Sequence, residues 1–278
     1  MPLVYCCIAP HGSEIVPELA GEMTSLFSPT RSGMRVLAKE MGVARPQTIV
    51  VATPHNLRLP THIGVVTSEN SSGRVVDGRR KIQLHVKCDV DYAQRVLKEA
   101  EEMGLPVVGA NYGTSEGPLS DMPMDWGTLI PLWFFVRKQA KKADVAIVSP
   151  SRGIPLHKNY EFGAILARVA QKSKKRVAIV ASADQAHAHR RDGPYGFSKC
   201  AQEYDDLVIK SIKGDKLKSI MEIASRVVDG AKPDSLWQMS MLAGALSVVP
   251  MVGRLVSYQR PTYYGMICAG YRLTKPTG

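Results

Sequence analysis

An α/β fold with a mostly parallel central sheet, helices on both faces and hairpin insertions is predicted by three features of the chain. Short apolar runs of strand length alternate with longer segments of helical period, the signature of crossover connections between parallel strands. At 278 residues, without a linker, a low-complexity tract or a repeat of solenoid period, the chain reads as one catalytic-sized domain over 1–278. Three of the apolar runs end within a few residues of a histidine: LVYCCIAPH at His11, TIVVATPH at His55 and VAIVASADQAH at His187. In an open α/β sheet, ligands bind in the crevice beyond the carboxyl ends of the strands, so these side chains are placed to converge.

The first strand, Leu3 to Ala9, is continuously apolar and is stopped by Pro10, which cannot donate to a ladder. Helical spacing follows over about Glu14 to Phe27 and over Gly33 to Met41, then a strand over Thr48 to Thr53 that Pro54 ends in the same way. His62 to Ser68 and Lys81 to Cys88 read as a hairpin around a Ser/Gly-rich turn at Glu69 to Gly73, with Ile82, Leu84, Val86 and Cys88 on one face and His85 on the polar one. Val90 to Met103 reads as a helix closed by Gly104 and Pro106, followed by a strand from Pro106 to Ala110. A buried helix with Gly127 and Pro131 near its start is expected over Asp125 to Ala140, and a strand over Asp144 to Ser149. Then come a helix over Tyr160 to Gln171, a strand over Arg176 to Ala181, helices around Glu203 to Lys210 and Lys216 to Val228, and a helix over Ser235 to Leu246. Arg254 to Gln259 and Thr262 to Tyr271 read as a terminal hairpin.

Composition narrows the function classes. With 45% hydrophobic and 22% charged residues the chain has the make-up of an ordinary globular protein, which excludes disorder. Leu129 to Val136 and Met241 to Val252, its longest apolar stretches, are too short for a membrane span, and no basic segment followed by an apolar core opens the chain; a soluble, cytoplasmic protein is expected. The formal charge of +11 raises the question of nucleic acid. Its clusters, however, are short: Arg137, Lys138, Lys141 and Lys142 lie near a helix end, and Lys172, Lys174, Lys175 and Arg176 at a helix-to-strand junction. There they complement helix dipoles, so neither nucleic acid nor membrane is expected as a partner. Five cysteines without CxxC spacing suggest no disulfide framework and no structural zinc; Cys6 and Cys7 read as small buried hydrophobes.

Two histidines on rigid strand ends are a metal-site signal, and they need a carboxylate to complete it. The first to consider is Asp234, although an Asp ahead of a helix is equally an N-cap. Two His and one carboxylate on one face of the ion form the facial triad of non-heme Fe(II) oxygenases, whose open positions hold O2 and a chelating substrate. Should Asp234 cap its helix, Glu14 or Glu161 is the next candidate. An imidazole such as His187 beside an open metal site is suited to take a proton and return it. His189, two residues on, is expected to point elsewhere.

The ordered set Pro10-His11-Gly12, Pro54-His55, Asp125-Trp126-Gly127-Thr128-Leu129-Ile130-Pro131-Leu132, Ala181-Ser182-Ala183-Asp184 with His187, Gly193-Pro194-Tyr195-Gly196-Phe197, and Pro233-Asp234 ahead of Gly244-Ala245 resembles the LigB-type class III extradiol ring-cleavage dioxygenases. These are the enzymes similar to protocatechuate 4,5-dioxygenase and DOPA dioxygenase. The resemblance implies His11, His55 and Asp234 as ligands of Fe(II), with zinc as the alternative, and His187 as acid/base toward a catechol. Trp126, His189, Tyr195 and Tyr264 complete the implied substrate-binding set. Two positions depart from the family: Asp234 stands where members carry Glu, and Trp126 where they often carry His. An indole has no acceptor and no accessible protonation change, so the expected diol is more apolar than protocatechuate or gallate. The expected reactants are a small aromatic diol and O2, and the expected assembly is a homo-oligomer. The alternatives are a metal protein of the same fold with zinc or another reaction, and a non-catalytic protein similar to Memo.

Overall fold

The computed structural model describes residues 2–137 and 143–273. Its strands are β1 (Leu3–Ala9), β2 (Thr48–Ala52), β3 (Ile63–Val66), β4 (Asn70–Asp77), β5 (Arg80–Lys87), β6 (Val107–Ala110), β7 (Asp121–Pro123), β8 (Asp144–Ser149), β9 (Val177–Ser182), β10 (Val252–Gln259) and β11 (Met266–Arg272). The helices are α1 (Pro17–Ala20), α2 (Ser28–Ala44), α3 (Val90–Glu102), α4 (Trp126–Val136), α5 (Leu156–Lys172), α6 (Lys199–Lys213), α7 (Ser225–Ala231) and α8 (Leu236–Val248).

An eight-stranded sheet in the order β10-β11-β1-β9-β2-β8-β3-β6 organises the chain, with β5-β4-β7 as a second, smaller sheet. The central strands β1, β9, β2 and β8 run parallel, whereas β11 and β10 add antiparallel at one edge and β3 pairs antiparallel with β8. Alternate residues of β1 serve opposite faces: Leu3, Cys6 and Ile8 join a core with residues of α3, α5, α6 and α8, while Tyr5, Cys7 and Ala9 join one with residues of α2 and α4. Both faces are thus covered, which is why these strands are apolar throughout rather than alternating.

Three readings of the sequence need correction. The stretch expected as a helix over Glu14 to Phe27 is broken into a 3-10 turn at Ser13–Ile15, the single turn α1 and a second 3-10 turn at Gly21–Thr24. Pro17 opens α1, and Gly21 with φ of 53° closes it. The hairpin is formed by β4 and β5, not by His62 to Ser68; the Ser/Gly-rich segment is itself strand, and the turn lies at Gly78, whose φ is 58°. Asp77-Gly78 is the stronger hairpin signal and was available in the sequence. Lys216 to Val228 divides into a 3-10 helix over Leu217–Glu222 and α7. Of the basic residues expected near a helix end, Lys138, Lys141 and Lys142 lie outside the described residues, as does the last part of the helix expected to reach Ala140.

Helices α5 and α8 cross in close contact through glycines. A Cβ on Gly163 would sit 1.8 Å from the Met241 carbonyl oxygen, and one on Gly244 would sit 1.9 Å from that of Tyr160. These obstacles are backbone, so the helices themselves would have to part. Gly244→Ala is expected to destabilise the protein by about 1–3 kcal/mol, the usual cost of overpacking, read as a lowered midpoint in thermal denaturation. An unchanged midpoint would show that the crossing is loose.

Candidate metal centre and cavity

Parallel register brings three strand ends side by side. In the sheet β9 lies between β1 and β2, with Ala9 opposite Ser182 and Ala52 opposite Ala181. Neighbouring strands lie about 4.8 Å apart, so the residues just beyond these ends share one small space. His11 leaves β1 after Pro10, His55 leaves β2 after Pro54, and Asp184 follows β9 by two residues. Asp234 arrives from the far side, at the turn between α7 and α8. Lys232 ends α7 in the left-handed conformation, and Ser235 occupies the cap position of α8 without a side-chain hydrogen bond. Asp234 therefore does not cap α8.

The ligand atoms of His11, His55 and Asp234 all lie within 4.8 Å of one another. His11 Nε2 is 3.3 Å from Asp234 Oδ2, His55 Nε2 is 3.1 Å from the same oxygen, and the two Nε2 atoms are 3.1 Å apart. Asp184, which sequence reasoning did not single out as a site residue, closes the set: its Oδ2 lies 3.3 Å from His11 Nε2, its Oδ1 accepts from the His11 backbone N–H, and its own N–H donates to Asp234 Oδ1. Its signal was an acid two residues past the end of an apolar strand adjacent to that of His11. Neither Glu14 nor Glu161 takes the third position. Glu14 accepts from the Tyr264 hydroxyl, and Glu161 pairs with Lys158.

The tautomer of His11 is set by a proline. Pro131 lies inside α4 and has no N–H, so the Gly127 carbonyl four residues back receives no intrahelical bond. Ser182 Oγ donates to that carbonyl at 2.5 Å. Having spent its proton, the hydroxyl accepts from His11 Nδ1–H at 3.0 Å, which turns the Nε2 lone pair toward Asp234 and Asp184. A lone pair facing two carboxylates needs positive charge between them, supplied by a proton on Nε2 or by a metal ion. Burial alone would lower the His11 pKa, but Asp184 and Asp234 outweigh it and push it up to about 9. Burial pushes Asp184 up to about 7, against the pull of His11 and with the help of Asp234. Asp234 is held far below the carboxylate range despite burial, because His11 and His55 both bond it. His55 stays below its ordinary value, chiefly through burial. With a metal ion in place of the His11 Nε2 proton, two imidazole nitrogens and an ionised carboxylate aimed at one point are the donor set that a divalent transition metal accepts.

Ser182→Ala tests this chain of contacts. Without the hydroxyl, His11 loses the acceptor that orients it, and metal affinity is expected to fall about 10–100-fold with the fold intact. Equilibrium titration with Zn(II) or Fe(II) measures it; an unchanged affinity would show that the Ser182 contact does not orient the ligand.

A cavity of about 1070 Å3 opens over these residues and is lined also by Glu14, Trp126, His187, Tyr195 and Tyr264. His187 Nδ1 donates to the Gln185 carbonyl at 2.8 Å, leaving Nε2 as the atom that accepts a proton. Its ring stacks on Tyr264 at 5.3 Å and meets Tyr195 edge-on at 5.8 Å. Burial, its largest influence, holds its pKa below the ordinary value. Gly12 lets Tyr264 approach, since a Cβ there would lie 2.1 Å from the Tyr264 hydroxyl. Trp126, 48% exposed, stacks on the His55 ring at 4.1 Å.

His189 is the exception among the expected substrate-binding residues. It is buried away from the cavity, with Nε2 2.8 Å from Asp205 Oδ2. Asp205 also accepts from the Ala186 N–H and the Tyr258 hydroxyl, and the His187 and Ala188 N–H groups both reach the Ala231 carbonyl. The loop that presents His187 is thereby pinned on either side, and His189 serves as one of the pins. Residues two apart share a face in extended backbone, but the chain bends at His187, so its side chain and that of His189 part.

The family model described as the catalytic LigB subunit of aromatic ring-opening dioxygenase matches residues 5–269. Protein CA_C1420 of Clostridium acetobutylicum is 23% identical over 270 residues, which are 96% of this chain and 56% of that protein, so the chain spans little more than half the length of this curated relative. Among solved structures, the uncharacterized protein JW3007 from Escherichia coli K12 superposes with a TM-score of 0.58 at 16% identity, covering 96% of this chain and 99% of that one. The likeness to that structure is one of fold.

Proposed function

The chain belongs to the LigB family of aromatic ring-opening dioxygenase catalytic subunits, and from that premise we propose that it is a non-heme Fe(II) extradiol dioxygenase cleaving the ring of a catecholic substrate with O2. The observation that carries the proposal is the convergence of His11, His55 and Asp234 at the floor of a cavity whose wall presents His187. Zinc would fit the same donors, but it has no redox chemistry, and Fe(II) is assigned because ring opening consumes O2. What Fe(II) supplies when bound is Lewis acidity toward the diol and an open position for O2.

The residues of the chain then divide the remaining work. His11, His55 and Asp234 present three donors from one side, which keeps the cavity side free for substrate. His187 Nε2, neutral at working pH because burial disfavours its charged form, takes a proton from a diol hydroxyl and returns it as oxygen is inserted. Tyr264 and Tyr195 hold that imidazole between their rings. The indole of Trp126 offers an apolar face to the substrate ring and fixes His55 from outside.

Anaerobic reconstitution with Fe(II), followed by oxygen uptake with a small panel of catechols, tests the proposal. Stoichiometric O2 consumption with a yellow ring-opened product is expected for at least one diol. Full Fe(II) loading without O2 uptake on any diol would sink it.

A further inference from the structure

A buried acid outside the cavity is joined to the imidazole in its wall by an unbroken line of hydrogen bonds. His187 Nδ1–H donates to the Gln185 carbonyl oxygen at 2.8 Å, and the N–H of the next residue, Ala186, donates to Asp205 Oδ1 at 3.0 Å. The Gln185 carbonyl and the Ala186 N–H belong to one planar peptide group. A hydrogen bond at one end of such a group polarises the other, so a carboxylate at its N–H makes its oxygen a stronger acceptor. Neighbouring bonds hold this peptide in place. On one side the Gln185 N–H donates to the Gly265 carbonyl at 2.8 Å, and on the other the Ala186 carbonyl accepts from the Gly265 N–H at 3.0 Å. Only glycine fits at 265, because a Cβ there would lie 2.2 Å from Asp205 Oδ2. Gln185, Ala186 and Asp205 are all fully buried, so bulk water does not compete for these bonds.

The far end of the line is built to hold a negative charge. Asp205 Oδ2 accepts from the Tyr258 hydroxyl and from His189 Nε2–H, each at 2.8 Å. Arg260 fixes that tautomer: its guanidinium donates to His189 Nδ1 at 3.4 Å, which leaves Nε2 as the protonated nitrogen. Three donors meeting two oxygens suit a carboxylate and not the neutral acid, which would bring a further proton of its own. Asp205 stands on α6 and is not among the residues that line the cavity. Its route to the reacting groups therefore runs through His187.

We propose that Asp205 is a positioning residue for His187, coupled to it through the Gln185–Ala186 peptide so that the imidazole keeps its proton on Nδ1 and its Nε2 becomes the stronger base. The proposal rests on the dioxygenase reading for the reaction that His187 serves, and on the line of hydrogen bonds for the coupling itself. A carboxylate bonded directly to the ring would place a full negative charge beside it and favour the imidazolium. With a peptide between them only part of that effect is passed on, so Nε2 gains basicity while the imidazole stays neutral and ready to take a proton.

The other charges near the line are fixed in the comparison that tests it. Around His187 stand the rings of Tyr195, Tyr263 and Tyr264, and Asp234, His11 and His55 act on it from the same cavity. Asp205 faces His189, Tyr258 and, beyond His189, Arg260, with Tyr204 and Asp206 beside it on α6. Of all these groups the test alters Asp205 and Tyr258, one at a time.

Nitrogen-15 NMR titration of the histidines in the protein loaded with Zn(II), which has no redox chemistry, reads the His187 midpoint and tautomer without turnover. The signal is assigned by its loss in His187→Ala. Asp205→Asn keeps an oxygen for the Ala186 N–H and gives up the charge, so the proton affinity of His187 Nε2 should fall about threefold, a midpoint lower by about half a pH unit. In the Fe(II)-loaded variant the acidic limb of turnover should move down by the same interval, with iron content unchanged. Tyr258→Phe acts in the opposite sense. It takes one donor from Asp205 and leaves the His187 loop untouched, so the carboxylate pulls harder on the Ala186 N–H and the midpoint should rise. A mere structural pin predicts no such opposition of sign. A midpoint unmoved in Asp205→Asn, or one that fails to rise in Tyr258→Phe, would overturn the coupling, and the second variant decides alone should the first not fold. Both shifts in a protein that binds Fe(II) and consumes O2 with no diol would support the coupling and sink the dioxygenase reading; O2 uptake with neither shift would do the reverse.

Discussion

His11→Ala is expected to abolish metal binding and ring cleavage together. Three donors from one side are the fewest that hold a divalent ion with positions open for reactants, and this substitution leaves two. It also removes the group that faces both Asp184 and Asp234 at 3.3 Å, so two buried carboxylates are left close together with no imidazole between them. Their repulsion disfavours the site geometry even where metal is abundant. Metal content after loading with Fe(II) should fall to about a tenth of the unaltered protein's or less, with turnover falling in proportion. His55→Ala, whose ring is partly exposed and bonds Asp234 alone among the acids, should lose metal with less effect on stability. Retention of near-stoichiometric iron in both variants would show that the ligands lie elsewhere.

The positions of His11 and His55 were legible because each rests on local chemistry: an apolar run long enough for a buried strand, then a proline that ends it, then the histidine. Parallel register does the rest. Asp234 was ambiguous in sequence, since the same aspartate serves as a helix cap or as a ligand, and only the left-handed turn at Lys232 and the cap position of Ser235 decide between them. Asp184 and Ser182 were less accessible still. Their roles depend on which strand lies between β1 and β2, and on a carbonyl orphaned by Pro131 in a helix distant in sequence. His189 was misplaced for the opposite reason: proximity in sequence to His187 suggested a shared site, whereas the bend at His187 lets the two side chains part and His189 takes a partner set by the surrounding loop, here Asp205. The hairpin is set by turn geometry rather than by composition. Ser71, Ser72 and Gly73 look like a turn, yet they pair with Leu84 to Val86, and Asp77-Gly78 makes the reversal.

His187→Ala should separate chemistry from metal binding. The imidazole is held by Gln185, Tyr264 and Tyr195 and makes no contact with the His11, His55 and Asp234 cluster that would cost the ion a donor. Its loop is pinned through the Ala186 N–H on Asp205 and the His187 and Ala188 N–H groups on Ala231, none of which involves the side chain of residue 187. Iron content should therefore stay near that of the unaltered protein, while turnover drops about a hundredfold or more, the range for loss of a positioned acid/base. The pH profile supplies a second test. Burial lowers the His187 pKa more than Asp234 raises it, so the neutral, proton-accepting form persists below the ordinary pKa of histidine. Turnover of the unaltered protein should stay level as pH falls to the ordinary imidazole value of about 6.5 and decline only below it. In His187→Ala that acidic limb should disappear, because the group that protonates there is gone. A loss of metal equal to that of His11→Ala would make His187 a ligand, and an acidic limb unchanged by the substitution would assign the titration to another group.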